Sequence, residues 1–302
     1  MMIKPKLLNA GKDREVIRRP TRLKMLLASR SAAILPGTSN ALFARVIAAH
    51  GFPAIYVTGA GIANMSLGVP DIGLVTTTEL TEHVSAIAGA VDVPVLVDAD
   101  TGFGNPINVG RTVRLLERAG AAGIQLEDQV FPKKCGHFSG KQVIACGEMV
   151  QKIKAAVDAR TDPHLQIVAR TDARAIEGID AAIARARTYA EAGADATFVE
   201  APIDVAELKR IAREISVPQI ANMVFGGLTP ILPQNELAKL GFGGVLYANA
   251  ALQAALKSVN DVMAALKRDG SLTQVADRLA GFEERQQAVA KAGYDALEQR
   301  YR

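Results

Sequence analysis

The stretch Glu127–Lys141 reads EDQVFPKKCGHFSGK and follows a short apolar run, Gly123–Leu126. It opens on two carboxylates, leaves regular structure at Pro132, and presents Lys133, Lys134, Cys135, Gly136 and His137 in succession. Ammonium groups beside a thiol favour the thiolate, so Cys135 is easier to ionise here than in isolation. Gly136 and Gly140 let the segment bend and move. A run of this kind after a strand is a candidate mobile acid/base element. Its own spacing favours a plainer reading, a solvated basic turn with an incidental thiol. His137 reads as a loop-orienting donor, because no second histidine is placed nearby to make a metal pair.

Asp98 and Asp100 stand two apart on an extended segment, which puts both side chains on one face. With Glu127 they concentrate negative charge that a cation must neutralise, and oxygen-only ligands select a hard ion, Mg²⁺ or Mn²⁺. The alternative is helix caps and salt bridges to barrel arginines. Asp71, after Pro70, is explained equally well by turn chemistry. Arg170 offers a fixed fork for a substrate carboxylate, or else a structural partner for Glu200 or Glu127. Asn222 is either a site residue or the cap of the next helix.

What must position these groups is a repeated unit of apolar run, polar turn and amphipathic helix. The runs are Ala32–Leu35, Ala54–Val57, Val93–Val97, Gly123–Leu126, Gln166–Ala169, Ala196–Val199, Pro218–Ala221 and Gly244–Tyr247. Helical patterns lie at Pro20–Ser29, Ser39–His50, Thr78–Ala90, Asn108–Ala119, Gly147–Ala159, Gly178–Ala192, Val205–Glu214, Pro233–Leu240 and Ala250–Arg268. Gly120, Gly193 and Gly241 stand where a left-handed stop residue belongs. Eight such units predict an α/β fold, the (β/α)₈ TIM barrel, as one domain over 1–302. A doubly wound open sheet is the alternative, but no G-x-G-x-x-G turn follows the first run. A polar C-terminal helical extension, 271–302, packs on the barrel or on a neighbouring subunit. Barrel active sites lie at the C-terminal ends of the strands. There the chain places Thr58-Gly59-Ala60-Gly61, Asp98-Ala99-Asp100, Glu127-Asp128, Arg170-Thr171-Asp172, Glu200 and Asn222, on six consecutive runs.

Hydrophobic residues make up 49% of the chain and aromatics only 5%, so aliphatic side chains and alanine must fill the core. The net charge of +4 suits anionic substrates. Its one cluster, Arg18, Arg19, Arg22 and Lys24, lacks interleaved aromatics and reads as a solvated helix face, not a nucleic-acid patch. Cys135 and Cys146 form neither a disulfide framework nor a metal motif, and Cys146 reads as structural. No apolar run is long enough for a membrane span and no signal core is evident, so a cytoplasmic enzyme without membrane partners is expected.

Jointly, Leu35–Gly37, Ser66–Asp71, Val97–Gly104, Leu126–Gln129, Lys133–His137, Ala169–Ala173, Phe198–Ala201 and Ala221–Met223 resemble the isocitrate lyase / phosphoenolpyruvate mutase superfamily, from about residue 20 to 270. The Lys-Lys-Cys-Gly-His run is similar to its carbon–carbon lyase branch. That branch holds 2,3-dimethylmalate lyase, the petal-death protein, oxaloacetate acetylhydrolases and carboxyvinyl-carboxyphosphonate phosphorylmutase-like proteins. The resemblance implies a Mg²⁺ site (Mn²⁺ substituting) made by Asp98 and Asp100, with Asp71 and Glu127 partly through water. It implies substrate contacts from Tyr56, Thr58, Gly59, Ala60, Gly136, Arg170, Asn222 and Thr229. Catalytic roles fall to Lys133, Cys135, His137, Arg170 and Glu200, the first three on a gating loop. It further implies a helix-swapped homotetramer that cleaves a 2-hydroxy dicarboxylate, such as 2,3-dimethylmalate or methylisocitrate, to an α-keto acid and a carboxylate. Phosphonate mutase or hydrolase chemistry and oxaloacetate hydrolysis or decarboxylation would use the same site; a non-enzymatic ligand-binding barrel is the remaining alternative. Where close relatives carry a glutamate after the asparagine, this chain has Phe225 with Leu228 nearby. An apolar pocket wall is therefore expected, disfavouring methylisocitrate with its extra carboxylate.

Overall fold

The computed structural model describes residues 17–136 and 140–302. Eight parallel strands, β1 (Ala33–Thr38), β2 (Ile55–Val57), β3 (Val95–Asp98), β4 (Gly123–Glu127), β5 (Gln166–Thr171), β6 (Ala196–Val199), β7 (Gln219–Asn222) and β8 (Gly244–Tyr247), close into a barrel in sequence order. Residues of β2 through β6 are buried throughout, as strands covered on both faces must be. That is why the apolar runs were continuous rather than alternating. The strands reach further toward their polar ends than the apolar runs alone predict. Asp98, Glu127, Arg170, Thr171 and Asn222 belong to the ladder itself. β1 even passes through Pro36, where its pairing hands over from β8 (Ala33–Pro36) to β2 (Gly37–Thr38).

The helices begin where local chemistry satisfies their first amides. Asn40 accepts from the Phe43 amide ahead of Ala41–Ala49, and Asp204 from the Glu207 amide ahead of Val205–Glu214. Thr76 with Glu79 and Asn105 with Asn108 form reciprocal boxes at the starts of Thr77–Ala90 and Pro106–Arg118. A short helical turn, Gly59–Ile62, runs into a wider turn at Ala63–Leu67 directly after β2; no apolar periodicity announces either. The C-terminal region breaks the helical patterns that its sequence shows at Gln274–Glu284 and Gln287–Tyr301. It holds a 3₁₀ segment at Thr273–Arg278 and helices at Phe282–Ala288 and Lys291–Arg300, with Ala290 left-handed between the last two. No helix among the described residues is long and apolar enough to cross a membrane.

The helix Arg19–Ala28 contributes Leu23 and Leu27 to the barrel-interior cluster, with Leu35, Tyr56, Leu96, Val168, Phe198, Ile220 and Leu246. This corrects in part the reading of the basic cluster as a solvated face: Arg18 and Lys24 are exposed, but Arg19 and Arg22 are half-buried. Arg19 donates to the carbonyls of Ala88 (2.8 Å) and Val91 (2.6 Å), Arg22 to that of Asp92, and Arg18 pairs with Asp162 at 2.7 Å. The arginines staple this helix to the barrel while its leucines face the barrel interior. Small residues make room for it: a Cβ on Gly123 would stand 2.8 Å from Leu23 and 2.9 Å from Leu96.

Gly37 is the tightest approach in the sheet, since a Cβ there would overlap the Ala248 carbonyl. Gly37→Ala is therefore expected to destabilise the protein by about 1–3 kcal/mol through overpacking. A chemical-denaturation midpoint equal to that of the parent would contradict this close approach.

Candidate active site

The carboxylate pair forms where β3 ends and the chain turns. Asp100 is left-handed (φ 45°), and its amide donates to Asp98 Oδ1 at 3.2 Å. Its carbonyl still accepts from the Glu127 amide at 2.8 Å. The two carboxylates thus converge through a turn, not by alternation along an extended strand as predicted. A left-handed backbone is uncommon outside glycine, and aspartate is among the residues that tolerate it best. Gly59 lets the backbone come against the pair: a Cβ there would lie 3.3 Å from Asp100 Oδ1 and 3.4 Å from Asp98 Oδ2. The Lys133 ammonium bridges Asp71 and Asp100, 3.0 Å from Asp100 Oδ1. Burial pushes the Asp100 carboxyl up to about 6, with Asp98 and Asp71 adding to the shift and Lys133 opposing it. Burial, and then the charge of Asp98, raises the Tyr56 phenol, which accepts from Gln125 Nε2 at 3.0 Å.

Arg170, on β5, is gripped from three sides. Its Nε and Nη2 donate to Asp172 at 2.8 and 3.0 Å, Nε lies 3.2 Å from Glu127, and Nη1 lies 3.4 Å from Glu200. The guanidinium sits 5.2 Å from the centroid of the Phe198 ring. Burial alone would raise the Asp172 carboxyl, but Arg170 and Lys141 hold it down at about 2. Asp172 is fixed in turn by Asp128, which takes its amide at 2.9 Å together with the hydroxyls of Thr171 (2.7 Å) and Tyr189 (2.8 Å).

The segment after β4 is anchored at its base. Val130 donates to the Gln142 carbonyl at 2.9 Å, Ile144 to that of Asp128 at 2.8 Å, and Gln129 bridges Val143. Gln129 also clamps Lys134, donating to its carbonyl at 2.8 Å and accepting its amide at 3.0 Å. The Cys135 amide donates to the Asp71 carbonyl at 3.2 Å. Gly136 lies directly on the arginine clamp, where a Cβ would overlap Arg170 Nη2 and come within 2.8 Å of Glu200. Lys133 and Lys141 are buried. This is no solvated basic turn. The plain local reading fails because the lysines face carboxylates supplied by three other strands' ends. His137 lies outside the described residues.

Tyr56, Thr58, Ala60, Asp71, Asp98, Lys133, Cys135, Gly136, Arg170, Glu200 and Asn222 line a single cavity with Val224, Ala248 and Asn249. Its volume of about 40 Å³ leaves room for about three waters. Six carboxylates (Asp71, Asp98, Asp100, Glu127, Asp172, Glu200) meet three cations (Lys133, Lys141, Arg170) here. Buried Glu127 Oε1 and Asn222 Oδ1 have no hydrogen-bond partner. Among the described residues no three His, Cys, Asp or Glu side chains converge closely enough to hold an ion directly. The donor set fits an ion that keeps several waters and takes only one or two carboxylates, the usual coordination of Mg²⁺.

Residues 23–267 match the family model of phosphoenolpyruvate phosphomutase. The chain belongs to that family. It is 48% identical over 263 residues to 2,3-dimethylmalate lyase of Eubacterium barkeri, covering 87% of this chain and 91% of the relative. Identity to 2-methylisocitrate lyase of Aeropyrum pernix is 45% over 267 residues, covering 88% and 86%. Among solved structures, 2,3-dimethylmalate lyase, described as a PEP mutase/isocitrate lyase superfamily member, superposes with a TM-score of 0.89 at 31% identity over 95% of this chain and 96% of its own. Phosphonopyruvate hydrolase in complex with oxalate and Mg²⁺ does so with a TM-score of 0.86 at 30% identity over 94% and 99%.

In this phosphoenolpyruvate phosphomutase family member, most of the residues expected to form a site meet at one mouth. Gly59 and Asp100 stand immediately behind the cavity wall, and Glu127 behind Arg170. Thr229 is buried but does not line the cavity. Thr58 accepts from the Gly61 amide at 3.3 Å and so caps the turn Gly59–Ile62. Asn222 caps nothing, since the next helix, Gln234–Leu240, starts only after Pro233. The expected Phe225 wall is wrong. Phe225 is 78% exposed and Leu228 55%, whereas Val224 lines the cavity. Beyond β7, Met223 turns inward (2% exposed) and Phe225 opens a surface turn. Asn249 was missed, although it stands just past β8 and the strand-end rule applied to the other strands would have found it. Lys141 was missed as well, because its partner Asp172 is distant in sequence; Asp128 was visible at a strand end but had been given no role of its own.

Gly136→Ala cannot seat on Arg170 and Glu200. Its kcat is expected to fall by about 10²-fold through misplacement of the loop, with an unchanged melting temperature. Parent-like kcat would contradict the contact.

Proposed function

We propose that this protein is a Mg²⁺-dependent carbon–carbon lyase that splits the C2–C3 bond of a 2-hydroxy dicarboxylate of the 2-alkylmalate class. The products are an α-keto acid and a carboxylate. One observation carries the reading: a buried arginine fork, Asp98 with Asp100 directly behind it, and Cys135 all meet at one cavity. The identity to 2,3-dimethylmalate and 2-methylisocitrate lyases supports it. With Phe225 turned outward, methylisocitrate stays within the substrate class.

Asp98 and Asp100, with Asp71 and Glu127 through water, are the residues to hold the ion. When bound, Mg²⁺ supplies Lewis-acid stabilisation at the 2-oxygen and offsets the surplus of carboxylates. Arg170 grips the C1 carboxylate bidentately, beside Tyr56, Thr58, Gly59 and Ala60. Asn222 and Glu200 border the carboxylate that leaves with C3. Loss of the hydroxyl proton lets the C2–O bond become a carbonyl as C2–C3 breaks, and the bonding pair passes into that carboxylate as an enediolate. Cys135 then delivers its proton to C3, with Lys133 and His137 on the same loop completing the catalytic set. The reading includes a cytoplasmic homotetramer assembled through exchanged C-terminal helices. Leu256, Val259 and Met263, each at least half exposed on Ala250–Asp269, offer the apolar surface for it.

The test is keto-acid release from 2,3-dimethylmalate, other alkylmalates, methylisocitrate, isocitrate, oxaloacetate and phosphonopyruvate. Turnover of an alkylmalate or methylisocitrate is expected; phosphonopyruvate or oxaloacetate as the only active compound would overturn the assignment. Cys135→Ser is expected to lower kcat by about 10²–10⁴-fold, the usual worth of a general acid, with Mg²⁺ binding intact.

The raised Asp100 carboxyl sets the pH dependence of metal binding. Its deprotonated form is the ligand and its folded pKa is about 6. Mg²⁺ or Mn²⁺ affinity should therefore be level above pH 6 and fall by about tenfold per unit below it. Titration of Mn²⁺ binding at pH 5 and pH 7 checks this, and equal affinities would contradict it.

A further inference from the structure

We infer that Lys141 is a positioning residue that ties the Cys135-bearing segment to the arginine clamp. The inference deepens the lyase reading and rests on it for what Arg170 and Cys135 do. The Lys141 side chain is 3% exposed, and its ammonium makes two contacts of different kinds. One is the Asp172 carboxylate at 2.7 Å; the other is the carbonyl of Gly136, which adjoins Cys135. Asp172 is the same carboxylate that takes Arg170 in bidentate fashion. Gly136 in turn lies against Arg170 Nη2 with no room for a Cβ. Lys141, Asp172, Arg170 and Gly136 thus form a ring of contacts, which Glu127 and Glu200 join through Arg170.

A buried ammonium needs partners for its donors, and losing one acceptor without water to replace it is costly. Displacing Gly136 removes an acceptor from Lys141. Lys141 is then left with Asp172 alone, a carboxylate it already shares with Arg170. Seating Gly136 completes the ring and holds Arg170 in one orientation. The position of Cys135 and the aim of Arg170 are therefore set together, so the thiol arrives only where the substrate carboxylate is gripped. A lysine that merely neutralised Asp172 would affect stability without affecting Cys135.

The experiment measures Cys135 alkylation by iodoacetamide in the full-length protein carrying Cys146→Ser, since Cys146 lies outside the site. Lys141→Met removes both contacts. Lys141→Gln keeps an amide for Asp172 on a shorter side chain that loses Gly136, and it decides the matter alone should the Met variant not fold. In either variant alkylation should accelerate by about ten- to a hundredfold, the worth of a hydrogen bond to a charged group. With an active substrate, kcat should fall by a similar factor while KM changes by less than about threefold. Parent-like alkylation in the folded variant overturns the inference, whatever happens to its melting temperature. Alkylation needs no substrate, so the two readings fail separately. Accelerated alkylation in a protein inactive on every dicarboxylate supports the role of Lys141 and sinks the lyase; lyase turnover with unaltered alkylation does the reverse.

Discussion

An uneven concentration of buried charge at the mouth of the barrel is the constraint to which the rest of this structure answers. Six carboxylates meet three cations in and directly behind the walls of a cavity holding only a few waters. Isolated buried charges are not tolerated, and removing one partner of a buried pair typically costs about 3–5 kcal/mol. Two of the three cations are consequently shared. Arg170 serves Asp172, Glu127 and Glu200, while Lys133 serves Asp71 and Asp100. The loop after β4 is drawn into the mouth by this demand for positive charge, and Cys135 arrives with it. Structural and chemical roles coincide here: the arginine that balances the acids is also the only fork for a substrate carboxylate among the cations lining the cavity.

The barrel makes this possible by removing every alternative. Its strands are buried on both faces, Leu23 and Leu27 face its interior, and close glycine contacts at Gly37 and Gly123 leave no slack. The backbone at the mouth departs from ordinary geometry beside the chemistry, with Asp100 at φ 45° and Ala201, next to Glu200, at φ 55°. Non-glycine residues keep such conformations only when the surroundings over-determine them, and they gather at functional sites.

The fold was legible because an apolar run followed by a helical pattern recurs eight times, a pattern independent of any single side chain. The site was legible to the extent that it obeys one positional rule. Asp98, Glu127, Arg170, Glu200 and Asn222 were visible as strand ends before their neighbours were known. The loop was not. Lys133–Gly136 looks like a solvated turn in isolation, because its partners Asp71, Asp100 and Glu200 are brought to it only by closure of the sheet. Phe225 failed for the same reason in reverse: proximity in sequence to Asn222 suggested a pocket wall, but the chain turns at Met223 and carries the ring outward. Lys141 carries no local signature at all, since it acts through Gly136 and the distant Asp172, and the strand-end position of Asp128 says nothing of its partners Thr171, Asp172 and Tyr189.

The central claim is that bond cleavage leaves a carbanion at C3 and that the Cys135 thiol protonates it. Turnover of 2,3-dimethylmalate in deuterated water, with the carboxylate product examined by NMR and mass spectrometry, tests this most directly. The account predicts equal amounts of pyruvate and propionate, with one deuterium on the propionate α-carbon in a single configuration. Product without solvent deuterium, or with deuterium scrambled between both configurations, would contradict it.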